Sequence, residues 1–220
     1  MILAAVLAMA LGAAEPVAPA APREVVVLLN GLARTKYSLR QLHDAIEKAG
    51  YRAIDWPYRS WSGSFEAHAA RLARDLETLA RDPAVARVHA VGHSLGGIVL
   101  RRALLDAAPS AKFGRLVQLV PPNHGSGVAR GLATVLGRPF PVLAELSDDP
   151  RSAVNRLGVP RGIEIGVVAA RYDHLVALAS THVEGEADHL LLPASHSFLM
   201  NRDDVIAATI AFLGSGRFPR

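Results

Sequence analysis

The chain has 220 residues, half of them hydrophobic, which suits one domain with a substantial core and is short for two. It contains no cysteine, so disulfides, thiolate catalysis and cysteine-ligated zinc are excluded. The formal net charge is +4, and the basic residues are scattered among acidic ones instead of forming the stripe of a nucleic-acid-binding protein. We therefore expect a single domain of enzyme size without a nucleic-acid partner.

The N-terminal segment, residues 1–22, is typical of a secretory signal peptide followed by an Ala/Pro-rich linker. Its apolar part, about 13 residues, is shorter than the ~20 that a membrane-spanning helix needs. No Lys or Arg precedes the apolar run, which leaves an uncleaved anchor or a misassigned start of a cytoplasmic chain as alternatives. We expect an exported protein, periplasmic or secreted, whose folded domain spans residues 23–220.

After this segment, apolar strands alternate with amphipathic helices, a pattern typical of a mostly parallel sheet with helices on both faces. The first strand is the unbroken apolar run E-V-V-V-L-L, as expected for burial on both faces, and Asn30-Gly31 ends it. The first helix is predicted to begin at a capping box of Ser38 and Gln41 and to end before Gly50. A short strand in Y-R-A-I-D-W and a second amphipathic helix follow.

The second half of the chain continues the alternation, with strands predicted in A-R-V-H-A-V-G, G-R-L-V-Q-L-V, I-E-I-G-V-V-A-A and H-L-L-L-P. The closing helix is predicted to begin at Asn201 as N-cap and to end at Gly214.

Residues 123–160 contain short apolar helical pieces and are longer than an ordinary connection. They predict either a small cap that lines an acyl pocket or helices that pack on the sheet without a role in binding. The candidate lining residues are all apolar: Val128, Leu132, Val135, Leu136, Val142 and Leu143.

One serine, Ser94, lies in Gly-His-Ser-Leu-Gly between an apolar strand and a helix that opens with Gly96-Gly97. This context is typical of a nucleophile elbow, in which glycines permit a sharp turn and a close approach of neighbouring elements. The turn would hold the hydroxyl at a helix N-terminus, where developing negative charge is favoured. Ser94 is therefore the predicted nucleophile.

A serine nucleophile needs a histidine base and an acid that orients the base. His196 is the predicted base, because it lies in the loop after the last strand, at the edge where open α/β sheets bind ligands. His93, next to the serine, is interpreted as part of the turn scaffold. Asp173, at the end of the preceding strand, is the predicted acid, and Asp188, at the start of the last strand, is its main rival. Two glutamates are weaker candidates for the acid: Glu184 and Glu186.

The tetrahedral intermediate of acyl transfer also needs hydrogen-bond donors for its oxyanion. The backbone N–H of Leu95, directly after the nucleophile, is one expected donor. The loop after the first strand should supply the other, with the N–H of Leu32 as the candidate.

Potential metal ligands occur close together between residues 182 and 189: His182, Glu184, Glu186 and His189. This segment lacks the H-E-x-x-H helix of zinc hydrolases, so a zinc site is the less favoured interpretation. We predict neither a metal nor another cofactor.

Four blocks of the sequence resemble the α/β-hydrolase superfamily, in particular its small bacterial lipase-like and esterase-like members: L-L-N-G-L, V-G-H-S-L-G-G, L-V-P-P-N-H-G-S, and D-H-L-V-A-L-A-S-T followed by L-L-L-P-A-S-H-S-F-L-M. The resemblance extends from Val25 to Phe218 and implies an α/β-hydrolase fold. In the lipase-like branch the acid opens a D-G-x-V segment, which corresponds to Asp173, and the histidine corresponds to His196.

Two positions depart from the family pattern. Asn30-Gly31 stands where the family usually has His-Gly, and His174 follows Asp173 where the family has glycine. Because the oxyanion donor is a backbone group, Asn30 is compatible with activity, although it could move the loop that carries Leu32.

These residues predict a serine hydrolase that cleaves carboxylic esters through an acyl-enzyme. Its expected partner is a small-molecule or lipid ester, with transient contact to a membrane surface in the lipid case. An acyltransferase, in which an alcohol replaces water on the same triad, is one alternative. A non-catalytic binding protein that retains the fold is another.

Overall fold

The computed structural model describes residues 21–137 and 139–220, so the predicted signal peptide lies outside the described residues. Within these ranges the chain forms six strands: β1 (Arg23–Leu29), β2 (Arg52–Asp55), β3 (Val85–His93), β4 (Phe113–Leu119), β5 (Ile165–Ala170) and β6 (Asp188–Leu192). Its α-helices are α1 (Arg40–Lys48), α2 (Phe65–Arg81), α3 (Leu95–Asp106), α4 (Gly127–Leu136), α5 (Pro141–Glu145), α6 (Leu178–Thr181) and α7 (Asp203–Ser215).

The strands form one parallel sheet in the order β2-β1-β3-β4-β5-β6. After β2 the chain crosses back over β1 to begin β3, so the strand order reverses direction between β1 and β3. Open α/β sheets bind ligands at such a switch point, beyond the carboxyl ends of the strands. The fold therefore places its natural binding crevice between the loop after β1 and the loop after β3.

Both faces of the sheet are covered, and alternate residues of the central strands enter two separate cores. In β1, Val25 and Val27 pack in the cluster formed with α2 and α3, whereas Val26 and Leu28 pack in the cluster formed with α1 and α7. This two-sided burial is why Val25–Leu29 of β1 and the whole of β5 are apolar without polar alternation, and the predicted fold class is confirmed.

Two predicted helix boundaries are wrong, because local side-chain contacts differ from those expected. The Ser38 hydroxyl donates to the Thr35 carbonyl (2.7 Å) within a 3-10 turn, so it does not cap α1, which begins at Arg40. Asn201 belongs to another 3-10 turn, and Arg202 is the N-cap of α7.

The end of α7 also lies further along the chain than predicted. The helix continues through Gly214 to Ser215 and ends at Gly216, whose left-handed conformation (φ 76°) closes the last turn. Among the described residues, no helix combines the length and the hydropathy needed to cross a membrane.

The packing of α7 on the sheet yields a test of the fold. A Cβ at Gly166 in β5 would lie 2.6 Å from the ring of Phe212, which is fully buried. We expect Gly166→Ala to lower the free energy of unfolding by about 1–3 kcal/mol, measured by denaturant titration, because the ring must move.

The matched control is Gly131→Ala in α4, where a Cβ would meet nothing within 4 Å and should be neutral or stabilising. Phe212→Leu should lower the free energy of unfolding less in the Gly166→Ala variant than in wild type, since the smaller side chain relieves the clash. Full additivity of the two changes would contradict the packing described.

Candidate active site

The predicted nucleophile lies in a strained turn between β3 and α3. Ser94 has φ 51° and ψ −121°, a conformation that L-residues rarely adopt. Its N–H donates to the Leu119 carbonyl (2.8 Å), and its own carbonyl accepts from the N–H of Gly97 (2.9 Å). The strained residue is therefore held from both sides, as expected where backbone strain serves a site.

Two glycines allow this turn because other backbone passes within contact distance of their α-carbons. A Cβ at Gly92 would lie 2.4 Å from the Gly97 nitrogen, and a Cβ at Gly96 would lie 2.4 Å from the Leu29 carbonyl oxygen. Since both clashes are with backbone, a flexible side chain cannot relieve them. The first turn of α3 is thus packed directly on the ends of β1 and β3.

The structure brings the three predicted triad residues together from the ends of three strands. The Oγ of Ser94 lies 3.0 Å from Nε2 of His196, and Nδ1 of His196 lies 2.7 Å from Oδ2 of Asp173. The side chains of His196 and Asp173 are 10% and 2% exposed. A buried carboxylate, an imidazole and a hydroxyl in this order can move a proton from the hydroxyl to the ring.

Asp173 remains a carboxylate because its contacts outweigh its burial. Burial raises its pKa, but hydrogen bonds from His196 and from the backbone N–H groups of Val176 (2.9 Å) and Leu175 (2.8 Å) lower it further, and the net pKa lies below the usual value. The carboxylate then accepts the Nδ1 proton of His196, which leaves Nε2 free to accept from Ser94.

The departure at His174 has a simple structural account. Position 174 does not adopt a positive φ, so this turn makes no demand for glycine.

The rival acids lie elsewhere. Asp188 accepts from the Phe218 N–H (2.9 Å) and from the Arg220 guanidinium (3.1 Å), at the amino end of β6. Glu186 binds His182 (2.7 Å), and Glu184 is exposed. Among these candidates, only Asp173 contacts His196.

His93 supports the loop that carries His196, the predicted base. Its Nε2 lies 3.0 Å from the main-chain carbonyl oxygen of His196, so Nε2 must carry the proton and donate it. Burial, with the nearby His196 ring and the Arg34 guanidinium, lowers the pKa of His93 to about 3. The ring is therefore neutral near pH 7. Its Nδ1 lies close to Gly31, because a Cβ added at Gly31 would lie 2.7 Å from this nitrogen.

A cavity of about 220 Å³ opens at Ser94 and contains Leu32, one of the expected oxyanion donors, in its wall. Leu95 is the first residue of α3, so its N–H has no partner within the helix. The two predicted donors thus lie at the switch point, one in the loop after β1 and the other at the start of α3.

The cavity wall is mainly apolar, and residues 123–160 supply six of the 16 residues that line it. Val128, Leu132 and Leu143 line it as anticipated, together with Ala129 and Leu146. Three other candidate residues do not line it: Val142 is buried in the core, and Val135 and Leu136 are exposed on α4.

Comparison with solved structures identifies this architecture. The mature lipase BlEst2 of Bacillus licheniformis superposes with a TM-score of 0.66 at 18% identity, covering 93% of this chain and 95% of that one. This is the α/β-hydrolase fold. Lipase B of Aspergillus fumigatus gives a TM-score of 0.69 at 13% identity, covering 90% of this chain and 54% of that one.

A carboxyl esterase of metagenomic origin, MGS0156, gives a TM-score of 0.61 at 19% identity, covering 84% of this chain and 68% of that one. No protein-family model matches the sequence, and comparison with curated proteins finds no match. At these identities the similarity establishes the α/β-hydrolase fold alone.

A buried polar network behind the serine was not anticipated from the sequence. Gln118 of β4 donates to the Gly97 carbonyl (2.9 Å) and accepts from the Asn123 amide (2.9 Å), while Arg101 donates to Asn123 Oδ1 (2.9 Å). The signal available was Gln118 itself, a glutamine inside the apolar run L-V-Q-L-V. This network fixes the start of α3 to the P-P-N-H-G-S loop of the hydrolase fold.

The potential metal ligands are only partly assembled. Donor atoms of His182, Glu186 and His189 lie within 4.8 Å of one another, without Glu184. The two imidazole rings are stacked, with centroids 4.0 Å apart and planes 14° apart. Because imidazole lone pairs lie in the ring plane, these rings do not direct their nitrogens at a common ion, and the arrangement does not fit a tetrahedral zinc site.

His93 gives a pH-dependent prediction. The unfolded chain takes up a proton on this residue near pH 6.5, whereas the folded chain does so only near pH 3, so stability contributed by the neutral ring is lost as pH falls below about 6.5. At pH 5 the loss is about 2 kcal/mol.

His93→Gln removes this titration. Whatever the variant loses in packing at pH 8, its deficit in unfolding free energy relative to wild type should shrink by about 2 kcal/mol at pH 5. Denaturant titrations at both pH values measure this, with the pH 8 pair as internal control. A deficit that stays constant with pH would contradict the neutral, donating state of His93.

Proposed function

We propose that this protein is a serine hydrolase that cleaves carboxylic esters through an acyl-enzyme. The observation that carries the proposal is the chain of contacts from Ser94 through His196 to Asp173, with distances of 3.0 and 2.7 Å. The α/β-hydrolase fold supports it, since the structures with which it superposes include lipases and an esterase. The strained backbone at Ser94 supports it further.

In the proposed first step, Nε2 of His196 removes the Ser94 proton as Oγ attacks the acyl carbonyl carbon. Asp173 holds the ring in the tautomer with the proton on Nδ1 and stabilises the imidazolium that forms. The imidazolium then donates its Nε2 proton to the departing alkoxide, which leaves as the alcohol. Water, activated by the same ring, attacks the acyl-enzyme and releases the carboxylic acid.

The negative charge of each tetrahedral intermediate would be met by backbone N–H groups of Leu95 and Leu32. Leu95 adds the N-terminal end of the α3 dipole, which favours negative charge at the carbonyl oxygen. Each such donor typically contributes a factor of about 10²–10³ to kcat.

The acyl chain is proposed to lie in the apolar cavity against Val128, Leu132 and Leu143, with α4 and α5 acting as the cap. Each methylene buried there would contribute about 0.8 kcal/mol, so the depth of the cavity would set the preferred chain length. For a lipid ester, the exposed side chains of Val135 and Leu136 on α4 suit transient contact with a membrane surface.

Ser94→Ala tests the nucleophile. Wild type should react with a fluorophosphonate probe and hydrolyse p-nitrophenyl esters, whereas the variant should take up no probe and lose at least about 10⁴-fold in kcat. Ser215→Ala, at the far end of α7, is the serine control and should behave as wild type. Probe uptake by Ser94→Ala, or an inert wild type, would overturn the proposal.

Asp173→Asn tests the acid, with Asp188→Asn as matched control. Loss of the carboxylate allows the wrong tautomer of His196, so kcat should fall by about 10²–10⁴ while KM changes little. Asp188→Asn should lower thermal stability by removing the Arg220 contact but leave kcat within about threefold. A large kcat loss in Asp188→Asn with little effect in Asp173→Asn would reverse the assignment.

A further inference from the structure

The loop after β1, residues 30–34, needs support if it is to hold an oxyanion donor in place. It carries Leu32 in the cavity wall and Ala33 in a left-handed conformation (φ 53°), unusual for a residue with a side chain. A donor misplaced by about 1 Å loses much of its catalytic effect, so something must fix this backbone.

The buried Asn30 side chain binds main-chain carbonyls at both ends of this loop. It is 5% exposed, and its amide nitrogen donates to the carbonyls of Gly31 (3.0 Å) and Arg34 (2.7 Å), one before and one after Leu32. A primary amide supplies two N–H donors, which matches these two acceptors.

Tyr58, in the loop after β2, binds the main chain of Asn30. Its hydroxyl donates to the Asn30 main-chain carbonyl at 2.5 Å. Burial raises the pKa of Tyr58, so the phenol remains protonated and able to donate. The same carbonyl also packs on the nucleophile helix, because a Cβ at Gly96 would come within 2.7 Å of its oxygen.

We propose that Asn30 and Tyr58 are positioning residues that hold the 30–34 loop so that its backbone N–H groups meet the oxyanion. The inference rests on the proposed ester hydrolysis, since only a reaction with an oxyanion requires the backbone N–H groups of this loop to stay in one position. Asn30 acts through the loop backbone, and Tyr58 acts through Asn30.

Asn30→Asp is the sharpest test, because it keeps the shape of the side chain but replaces two donors with an oxygen facing two carbonyls. We expect kcat to fall about 10- to 100-fold, with KM within about threefold, because the variant would stabilise the transition state less while binding the substrate equally well. Tyr58→Phe removes one hydroxyl and should lower kcat about 3- to 10-fold. It also provides the test if Asn30→Asp does not fold.

A second readout separates positioning from general loss of structure. A trifluoromethyl ketone forms a tetrahedral adduct with the serine and places an oxyanion at the loop, so its affinity should fall by the same factor as kcat/KM. A non-reactive ether analogue of the ester binds without an oxyanion, and its affinity should stay within about twofold. Asn201→Asp and Tyr51→Phe, outside the cavity wall, are matched controls and should leave both affinities unchanged.

The outcomes distinguish the two proposals. If wild type hydrolyses esters through Ser94 and both variants keep kcat/KM and ketone affinity within twofold of wild type, the positioning role is wrong and the hydrolase proposal stands. If the ketone and the ether analogue weaken equally, the loop is disturbed as a whole and the positioning role is again contradicted. If wild type neither hydrolyses esters nor binds the ketone covalently, both proposals fail together.

Discussion

The close approach of α3 to the ends of β1 and β3 is the constraint on which the site depends. With no Cβ at Gly92 or Gly96, the first turn of α3 rests directly on backbone atoms of both strands. That contact forces Ser94 into its strained conformation and points the N-terminal end of α3 at the same crevice. One packing arrangement thus sets the position of the Ser94 hydroxyl and also the direction of the helix N-terminus that would stabilise the proposed oxyanion.

Backbone strain is concentrated at the same edge of the sheet. Among the described residues other than glycine, positive φ angles occur at Ala33, Ser94 and Val120, which follow β1, β3 and β4. The buried valine is the most costly type at such an angle, yet its N–H donates to the Val168 carbonyl (2.7 Å), which holds it in place. In the described part of the chain, these strained non-glycine residues therefore lie at the edge of the sheet that carries the candidate site.

The parallel sheet, the alternation of strands and helices and the meeting of Ser94, His196 and Asp173 could be predicted because each leaves a local signal: two-sided apolar runs, helical periodicity, and reactive side chains at strand ends. Helix ends were less predictable, since Ser38 binds a carbonyl outside the helix it was expected to cap. The partners in the supporting contacts could not be predicted, even for His93, which was expected to support the turn. His93 and His196 are 103 residues apart in sequence, and Tyr58 and Asn30 are 28 apart, so folding alone brings them together.

These supporting contacts share one physical feature, which is that each acts on main chain. His93 binds the carbonyl of His196, Asn30 binds the carbonyls of Gly31 and Arg34, and Gln118 binds that of Gly97. A side chain that holds a backbone carbonyl fixes the direction of the residue beside it without occupying the cavity. Because each donor is neutral and nearly fully buried, salt and solvent screen it little. The side chains that donate these hydrogen bonds therefore stay neutral during the proposed reaction. Changes of charge and proton transfer are left to Ser94, His196 and Asp173.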